Sequence, residues 1–212
     1  MRLCYRLSWQ VTMIIDLIRH GEPEGGPKYR GATLDDPLSD KGWRQMREAV
    51  GDACPWQRII SSPMVRCRAF AEELAGRHGK PLTVIDDLRE IGFGDWEGKT
   101  REMLLRERPE EVAAFYANPV ENTPNGAEPV TEFLSRITGV LAALPHQYEE
   151  DHLLAVAHAG VIRAAIVFAL RADANSLYHI HVPNAGFSRI MIDAQQTTLG
   201  FHNRPHVGLS RQ

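Results

Sequence analysis

Cysteine is scarce in this chain, with only Cys4, Cys54 and Cys67 among 212 residues. An odd and sparse set is unlike the disulfide framework of a small secreted domain and suits a reducing compartment, so we expect a cytoplasmic protein. The sequence also lacks an apolar run as long as a membrane span. Its first twelve residues have neither the apolar stretch nor the cleavage site of a signal peptide. We therefore expect no membrane partner.

A strong surplus of charge is also missing. The chain has 24 Lys and Arg residues against 27 Asp and Glu residues, a formal net charge of −3 with histidine counted neutral. No basic face or long run of like charges suggests a nucleic-acid partner. Because the overall field does not attract anions, a small anionic substrate would need a local cluster of arginines.

What the sequence does contain is an alternation of apolar strands and amphipathic helices. Apolar residues make up 43% of the chain, enough for one domain over residues 13–212, with residues 1–12 as an N-terminal extension. Strands are predicted for "MIIDLI" at 13–18, "RIISS" at 58–62, "LTVID" at 82–86 and "LLAVAH" at 153–158. "FSRIMID" and "TLGFHN", at 187–193 and 198–203, predict a terminal hairpin or two edge strands.

The predicted helices lie between these strands. One begins at a Ser39 or Asp40 cap and runs to Ala53, and the next has Pro63 as its first residue and Ser62 as its cap. This second helix runs to Arg77. Further helices are predicted over 100–116, over 130–144 before Pro145, and over 160–170. Such an alternation predicts an α/β fold with a mostly parallel sheet between two helical layers, and residues 100–145 form a helical insertion over one edge.

Polar side chains follow each of the four buried strands. Arg19 and His20 follow the first strand, and Arg66 falls in the first turn of the helix after the second. Glu90 follows the third strand, and His158 ends the fourth. Because ligands of such sheets bind outside the carboxyl ends of the strands, we expect these residues to meet at one edge.

These residue types fit the transfer of a phosphoryl group. Arg19 and Arg66 can give forked hydrogen bonds to a phosphate dianion, and a cationic His158 would add a further donor. A neutral His20 can attack phosphorus, while Glu90 can protonate the leaving oxygen and later activate water. This chemistry requires neither a metal nor a cofactor. Taken singly, each residue would equally fit a solvated turn, a helix surface or the edge of a core.

Four segments resemble the signatures of the histidine phosphatase superfamily, the phosphoglycerate-mutase-like phosphatases, and they occur in the family's order. They are "LIRHGE" at 17–22, "SSPMVRCRAFAEEL" at 61–74, "LREIGFGDWEG" at 88–98 and "AVAHAGVIRA" at 155–164. The resemblance implies a three-layer α/β/α sandwich. It also implies that His20 is phosphorylated, that Glu90 is the general acid, and that Arg19, Arg66 and His158 form the phosphate pocket together with the backbone N–H of Ala159.

One position departs from the family pattern. Many members carry an asparagine six residues after the nucleophile, where this chain has Gly26. That phosphate contact is then either missing or replaced by Arg30 or by a backbone N–H of the Gly25-Gly26 loop. The pattern Y-R-G followed by D-D-P-L-S, at 29–31 and 35–39, resembles the α-ribazole-5′-phosphate phosphatases of cobalamin assembly. Broad-specificity phosphatases share much of this pattern, and a phosphoglycerate-mutase-like enzyme is a further alternative. The expected partner is a small phosphorylated metabolite, and a homodimer stays open.

Competing functions make different demands on the sequence. A cysteine-dependent phosphatase needs a C-x₅-R loop, and neither Cys54 nor Cys67 has an arginine at that spacing. A zinc enzyme could use His179 and His181, with His202 and His206 further on, but two histidines without nearby carboxylates are a weak metal signal. A non-catalytic phospho-ligand-binding protein would be expected to lack the nucleophile or the acid, whereas this chain has both.

Overall fold

The computed structural model describes residues 13–148 and 152–206, so the extension predicted for residues 1–12 lies outside it. Within the described residues, six strands form one sheet: β1 (Met13–Arg19), β2 (Arg58–Ser61), β3 (Leu82–Val84), β4 (His152–Ala157), β5 (Phe187–Ile192) and β6 (Thr197–Arg204). The α-helices of the same residues are α1 (Asp40–Val50), α2 (Val65–His78), α3 (Arg101–Glu107), α4 (Pro109–Ala117), α5 (Val130–Gln147) and α6 (Ala159–Leu170). None of the described helices is long and apolar enough to cross a membrane.

The sheet is mixed, with the strand order β3-β2-β4-β1-β5-β6. β3, β2, β4 and β1 run parallel to one another, as the strand–helix alternation predicts. β5 runs antiparallel to β1, and β6 runs antiparallel to β5. The last two strands therefore form the predicted hairpin, with β6 at the edge of the sheet.

Helices cover both faces of the sheet. Alternate residues of β1 enter different cores: Ile15 and Leu17 pack in the core that contains residues of α5 and α6. Ile18 packs on the other side with residues of α1 and α2. Burial of both faces explains why the central strands are almost continuously apolar. The three-layer α/β/α sandwich is thus confirmed.

Three helix ends differ from the sequence prediction. α1 ends at Val50 rather than Ala53, because Gly51 takes a positive φ of 61° and stops the helix. α2 begins at Val65 with Met64 as its cap, so the prediction of Pro63 as first residue and Ser62 as cap is wrong. The Ser62 hydroxyl accepts the Met64 N–H at 3.3 Å and also lies 2.7 Å from His158 Nε2. α5 continues through Pro145 to the end of its last turn.

The predicted insertion over residues 100–145 contains helices with two different positions. α5 belongs to a layer of the sandwich, since Phe133, Ile137 and Leu141 are buried in the same core as α6. The shorter α3 and α4, which precede α5 in the chain, pack against each other. Tyr116 of α4 lines the cleft described below. The region therefore both completes the sandwich and borders the site.

An acidic residue lies in the middle of β1, inside an apolar run. Asp16 is 2% exposed and accepts hydrogen bonds from Trp56 Nε1 at 2.8 Å, from Arg189 Nε at 2.7 Å and from His152 Nε2 at 2.9 Å. Burial alone would raise the pKa of Asp16, but the bonds from His152, Arg189 and Trp56 outweigh it and lower the pKa. Asp16 thus stays ionised and links β1, β4 and β5.

The parallel register brings the functional strand ends together. Arg19 is paired with Ala157, and the His20 N–H donates to the Ala157 carbonyl at 2.9 Å. On the other side of β4, the Ser62 N–H donates to Val156 O at 3.1 Å. The residues that follow β1, β2 and β4 therefore meet at one edge of the sheet.

Candidate active site

A cleft of about 250 Å³ opens at this edge. Six of the seven residues that the sequence analysis singled out line it: Arg19, His20, Arg30, Arg66, Glu90 and Ala159. The seventh, His158, is fully buried behind His20, and the two imidazole rings meet edge-on with their centroids 5.2 Å apart. The fold thus collects residues from five separate parts of the chain around one small cavity.

His20 presents one ring nitrogen for chemistry. Its Nδ1 lies 2.7 Å from the Gly21 carbonyl oxygen. Because a carbonyl only accepts, Nδ1 carries the hydrogen and donates it. In the neutral ring, Nε2 then has the free lone pair that a nucleophile needs. The bond to the Gly21 carbonyl therefore fixes the tautomer of the ring.

The surroundings of His20 favour the neutral ring. Burial is the main cause that lowers its pKa well below the ordinary value, and the positive charges of Arg19 and Arg66 lower it further. The bond to Gly21 acts in the opposite direction and is the smaller effect. A histidine that stays unprotonated near neutral pH is ready to attack an electrophile.

The Arg19 guanidinium is only partly paired with acceptors, as is expected at an anion site. Its Nη1 donates to the Val182 carbonyl, but its buried Nε has no hydrogen-bond partner within the described residues. Burial lowers the pKa of Arg19 to about 10, although the negative charge of Glu90 partly opposes the shift. A buried N–H without an acceptor is costly, and a bound phosphate oxygen would satisfy it.

Arg66 enters the cleft from the first turn of α2 and is 1% exposed. Its terminal nitrogens donate to Leu34 O at 2.8 Å and to Gly31 O at 3.1 Å, so they fix the loop after β1. Its Nε is buried and lacks a partner in the part of the chain that the structure describes. The two arginines therefore offer a pair of unused N–H donors at the same cavity.

Glu90 lies against the N-terminus of α6. Its carboxylate accepts the N–H of Ile91 at 3.0 Å and the N–H of Gly160 at 3.2 Å. A Cβ at position 160 would collide with the Glu90 carboxylate, so only glycine allows this approach. The two backbone N–H groups therefore fix the position of the Glu90 carboxyl group in the cleft.

The loop that carries Glu90 is clamped by two residues of the following segment. The Arg136 guanidinium makes a forked pair with Glu128, at 2.9 and 2.7 Å. Its Nη1 also donates to the carbonyls of Asp87 and Arg89, at 2.5 and 3.1 Å. These carbonyls lie just before Glu90 in the chain, so Arg136 holds the backbone that positions the carboxylate.

The surroundings of His158 favour its neutral form. Burial, followed by the charge of Arg66, lowers its pKa well below the ordinary value, so the free protein holds it neutral. Its Nε2 is 2.7 Å from Ser62 Oγ, and Cys67 Sγ lies 3.6 Å from the same atom. A cationic His158, which would add a further donor for phosphate, is therefore disfavoured by its burial and by the nearby arginine.

Arg30 lies where the family's asparagine contact would need a substitute. It lines the cleft and is 8% exposed. Its Nε donates to Asp36 at 2.9 Å, and its Nη2 donates to the carbonyls of Glu24 and Gly26. Arg30 therefore holds the Gly25-Gly26 loop in place, and its pairing with Asp36 reduces the charge that it offers to phosphate.

Several cleft residues were not found by reasoning on the sequence. They are Pro23, Lys28, Tyr29, Gly31, Ile91, Phe93, Tyr116, Gly160, Arg163 and Tyr178. Arg163 had a usable signal, because it lies four residues after Ala159 and so on the same face of α6. Tyr178 belongs to a 3-10 helix, Ala174–His179, and no local pattern marks it.

The structure also bears on the zinc alternative. The carbonyl of His181, one of the histidines considered for metal binding, accepts bonds from His202 Nε2 at 2.8 Å and from Asn203 at 2.7 Å. Over residues 13–148 and 152–206, no group of three or more His, Cys, Asp or Glu side chains is placed to hold a metal ion.

A larger cavity of about 570 Å³ lies away from these strand ends. It is formed by α5, the end of α6 and the turn between β5 and β6, and none of the predicted site residues lines it. Volume alone does not locate the chemistry, so the smaller cleft with the converging arginines and histidine is the candidate site.

Comparison with known proteins identifies the family of the chain. The family model of the histidine phosphatase superfamily (branch 1) matches residues 15–205. The adenosylcobalamin/alpha-ribazole phosphatase of Salmonella typhimurium is 29% identical over 180 residues, 83% of this chain and 89% of that protein. Phosphoserine phosphatase 1 of Hydrogenobacter thermophilus is 27% identical over 189 residues, 86% of this chain and 88% of that protein.

A solved structure shows the same fold. The crystal structure of the alpha-ribazole phosphatase from Shigella flexneri superimposes with a TM-score of 0.80 at 26% sequence identity. The match covers 93% of this chain and 99% of that chain. The fold is therefore phosphoglycerate-mutase-like, and the chain belongs to the histidine phosphatase superfamily as a phosphoric monoester hydrolase.

Proposed function

We propose that this phosphatase hydrolyses small phosphate monoesters without a metal and carries the phosphoryl group on His20. The observation that supports this most is the state of His20, a neutral ring with its free Nε2 in a cleft lined by two arginines with unpartnered Nε atoms. The nucleophile and the donors for the transferred group are therefore both prepared before substrate binds.

In the first half of the reaction, the phosphate of the ester binds against Arg19 and Arg66, with the N-terminus of α6 at Ala159 as a further donor. His20 Nε2 forms a bond to phosphorus while the bond from phosphorus to the ester oxygen breaks. Glu90, protonated at this stage, gives its proton to that oxygen and the alcohol leaves. The Nδ1–H bond to Gly21 keeps the phosphorylated ring in place.

In the second half, water attacks phosphorus and the bond from phosphorus to Nε2 breaks. The Glu90 carboxylate accepts the proton of that water and is ready to act as an acid again. Inorganic phosphate leaves and His20 returns to its neutral form. His158, neutral and bonded to Ser62, packs against the His20 ring and orients it.

For the substrate, we propose α-ribazole 5′-phosphate or a related small ester, with work in cobalamin assembly in the cytoplasm. The proposal is supported by the similarity to proteins with the name alpha-ribazole phosphatase and by the sparse cysteines. Tyr29, Phe93 and Tyr116 add aromatic surface to the cleft, which suits the ring system of a nucleoside-like alcohol. Broad-specificity hydrolysis is the alternative, since a phosphoserine phosphatase is similar to a comparable extent.

The test compares wild type with His20→Ala after treatment with a chelator, using p-nitrophenyl phosphate and α-ribazole 5′-phosphate. We expect wild type to keep its activity, and His20→Ala to lose at least about a thousandfold in kcat. His146→Ala is the matched control, because His146 is exposed near the end of α5. Activity of His20→Ala near wild type, or loss of wild-type activity on chelation, would contradict the mechanism. Preference for phosphoserine over the ribazole ester would contradict the substrate.

A further inference from the structure

The cleft contains a hydroxyl that has no partner in the free protein. Tyr178 lines the cleft, and its hydroxyl oxygen is buried without a hydrogen bond to any described residue. The ring is held between Phe115, at a centroid distance of 4.7 Å, and Tyr116, at 5.9 Å. A buried hydroxyl without a partner is unfavourable, so its presence at a binding cavity indicates that a ligand supplies the partner.

An arginine stands beside this hydroxyl. Arg163 also lines the cleft, and its guanidinium carbon lies 5.4 Å from the centre of the Tyr178 ring. Its Nε donates to Ile180 O at 2.8 Å, which fixes the side chain. The two terminal nitrogens have no hydrogen-bond partner among the described residues. Within residues 13–148 and 152–206, Arg163 makes no ion pair, unlike Arg30 and Lys28, which both pair with Asp36.

The other polar groups of this wall are already satisfied. The hydroxyls of Tyr29 and Tyr116 bond to each other at 2.7 Å. Lys28 and Arg30 share Asp36, at 2.8 and 2.9 Å. Arg19 and Arg66 have unused Nε donors, but the transferred phosphoryl group occupies them in the proposed reaction. Arg163 and Tyr178 therefore remain as donors without an assigned acceptor.

Their place in the fold is on the side of the leaving alcohol. Arg163 lies three residues after Gly160 on α6, and the Gly160 N–H binds the carboxylate of Glu90. Tyr178 and Glu90 line the same cleft, and after burial the charge of Glu90 is the next cause that raises the pKa of Tyr178. Since Glu90 protonates the ester oxygen, groups beside it face the alcohol rather than the phosphate.

We propose that Arg163 and Tyr178 form a leaving-group subsite that binds an oxygen acceptor on the alcohol part of the substrate. The acceptor is an oxygen close to the ester carbon, either a carboxylate, as in phosphoserine, or a sugar oxygen, as in a ribose 5-phosphate. This assignment rests on the proposed function, because Glu90 defines the side on which the alcohol leaves. A substrate with such an oxygen satisfies the Tyr178 hydroxyl and the free end of Arg163 together.

The test is Tyr178→Phe, with kcat/KM measured for phosphoserine, ribose 5-phosphate and n-propyl phosphate. The last ester has no oxygen besides the phosphate. We expect the loss to be about tenfold larger for the oxygen-bearing esters than for n-propyl phosphate, as for one lost hydrogen bond to a polar partner. The thermal midpoint should not fall, because the hydroxyl has no partner in the free protein. Tyr148→Phe, at the end of α5 and outside the cleft, is the control.

Arg163→Met then separates the two kinds of oxygen. A larger loss for phosphoserine than for ribose 5-phosphate supports the subsite with a carboxylate as its ligand, and a larger loss for the sugar ester supports it with a sugar oxygen. Equal losses on all three esters in both variants would overturn the subsite.

A binding measurement keeps this proposal separate from the reaction mechanism. In the His20→Ala background, titration calorimetry with phosphoserine and ribose 5-phosphate reports affinity without turnover. Weaker binding after Tyr178→Phe would support the subsite even if wild type proved inactive, which would count against the proposed function alone. Unchanged binding of both esters would overturn the subsite even in an active enzyme.

Discussion

Replacing Arg19 by alanine should remove activity without weakening the fold. Arg19 donates one bond to the Val182 carbonyl, has an unpartnered Nε and makes no ion pair within the described residues. Its charge is therefore held in a buried position mainly for the ligand. A residue of this kind contributes to catalysis while it contributes little to stability, or even reduces it.

The magnitudes follow from the surroundings of Arg19. Burial lowers its pKa from 12.5 to about 10, and at about 1.4 kcal/mol per pKa unit the cation is destabilised by roughly 3 kcal/mol. Alanine relieves that penalty but loses the bond to Val182, which is worth about 1.5–3 kcal/mol for a charged donor. The two effects nearly cancel, so the free energy of unfolding should change by less than about 2 kcal/mol. The loss of one donor to the transferring group should lower kcat about 100-fold or more.

The assay combines kcat/KM for p-nitrophenyl phosphate with denaturant unfolding in the absence and presence of inorganic phosphate. Phosphate at about 100 times its dissociation constant should stabilise wild type by roughly 2.7 kcal/mol and Arg19→Ala by much less. Arg106→Ala is the control, because that arginine is 71% exposed on α3. The reasoning is refuted if the variant is folded and nearly as active as wild type, or if its stability falls by several kcal/mol.

Four further outcomes are expected. Glu90→Gln should slow phosphorylation by alkyl phosphates far more than by p-nitrophenyl phosphate in single turnovers, since p-nitrophenolate leaves without a proton; equal losses would mean that Glu90 is not the acid. Arg136→Ala should show the same leaving-group dependence to a smaller extent, because it loosens the loop that carries Glu90, and a uniform loss on both substrates would argue against that role. Asp16→Asn should lower the free energy of unfolding by about 3 kcal/mol at pH 7. Because the pKa of Asp16 is lowered in the fold, this difference is complete above pH 4 and should shrink as the pH falls further; a constant difference in acid would exclude the ionised network. Since the pKa of His20 is also lowered, kcat/KM for p-nitrophenyl phosphate should not fall between pH 7.5 and 6, and an acidic limb near 6.5 would show a protonated nucleophile.

The sequence predicted the sandwich and the cleft residues that follow the strands because both depend on regular features. Parallel strands end at a common edge, so residues that follow separate strands, such as His20 and Glu90, could be placed together without a structure. The order of the four motifs then made the resemblance to one superfamily clear.

What the sequence could not predict depends on contacts between distant segments. Ser62 has the residue type of a helix cap, and its hydroxyl accepts the Met64 N–H, but the hydroxyl also lies 2.7 Å from His158 Nε2 and the helix begins only at Val65. The charge of His158 depends on its complete burial, which its position at a strand end does not reveal. Tyr178 reaches the cleft from a 3-10 helix after α6, and only the tertiary fold brings it there.

The most direct test of the account is to trap the phosphorylated enzyme. Wild type is mixed with p-nitrophenyl phosphate, quenched in alkaline denaturant within a single turnover, and analysed by peptide mass spectrometry. The account predicts one phosphoryl group on His20, stable in base and lost in acid, and none in His20→Ala. A phosphoryl group on another residue, or hydrolysis in single turnovers without any phosphorylated protein, would contradict it.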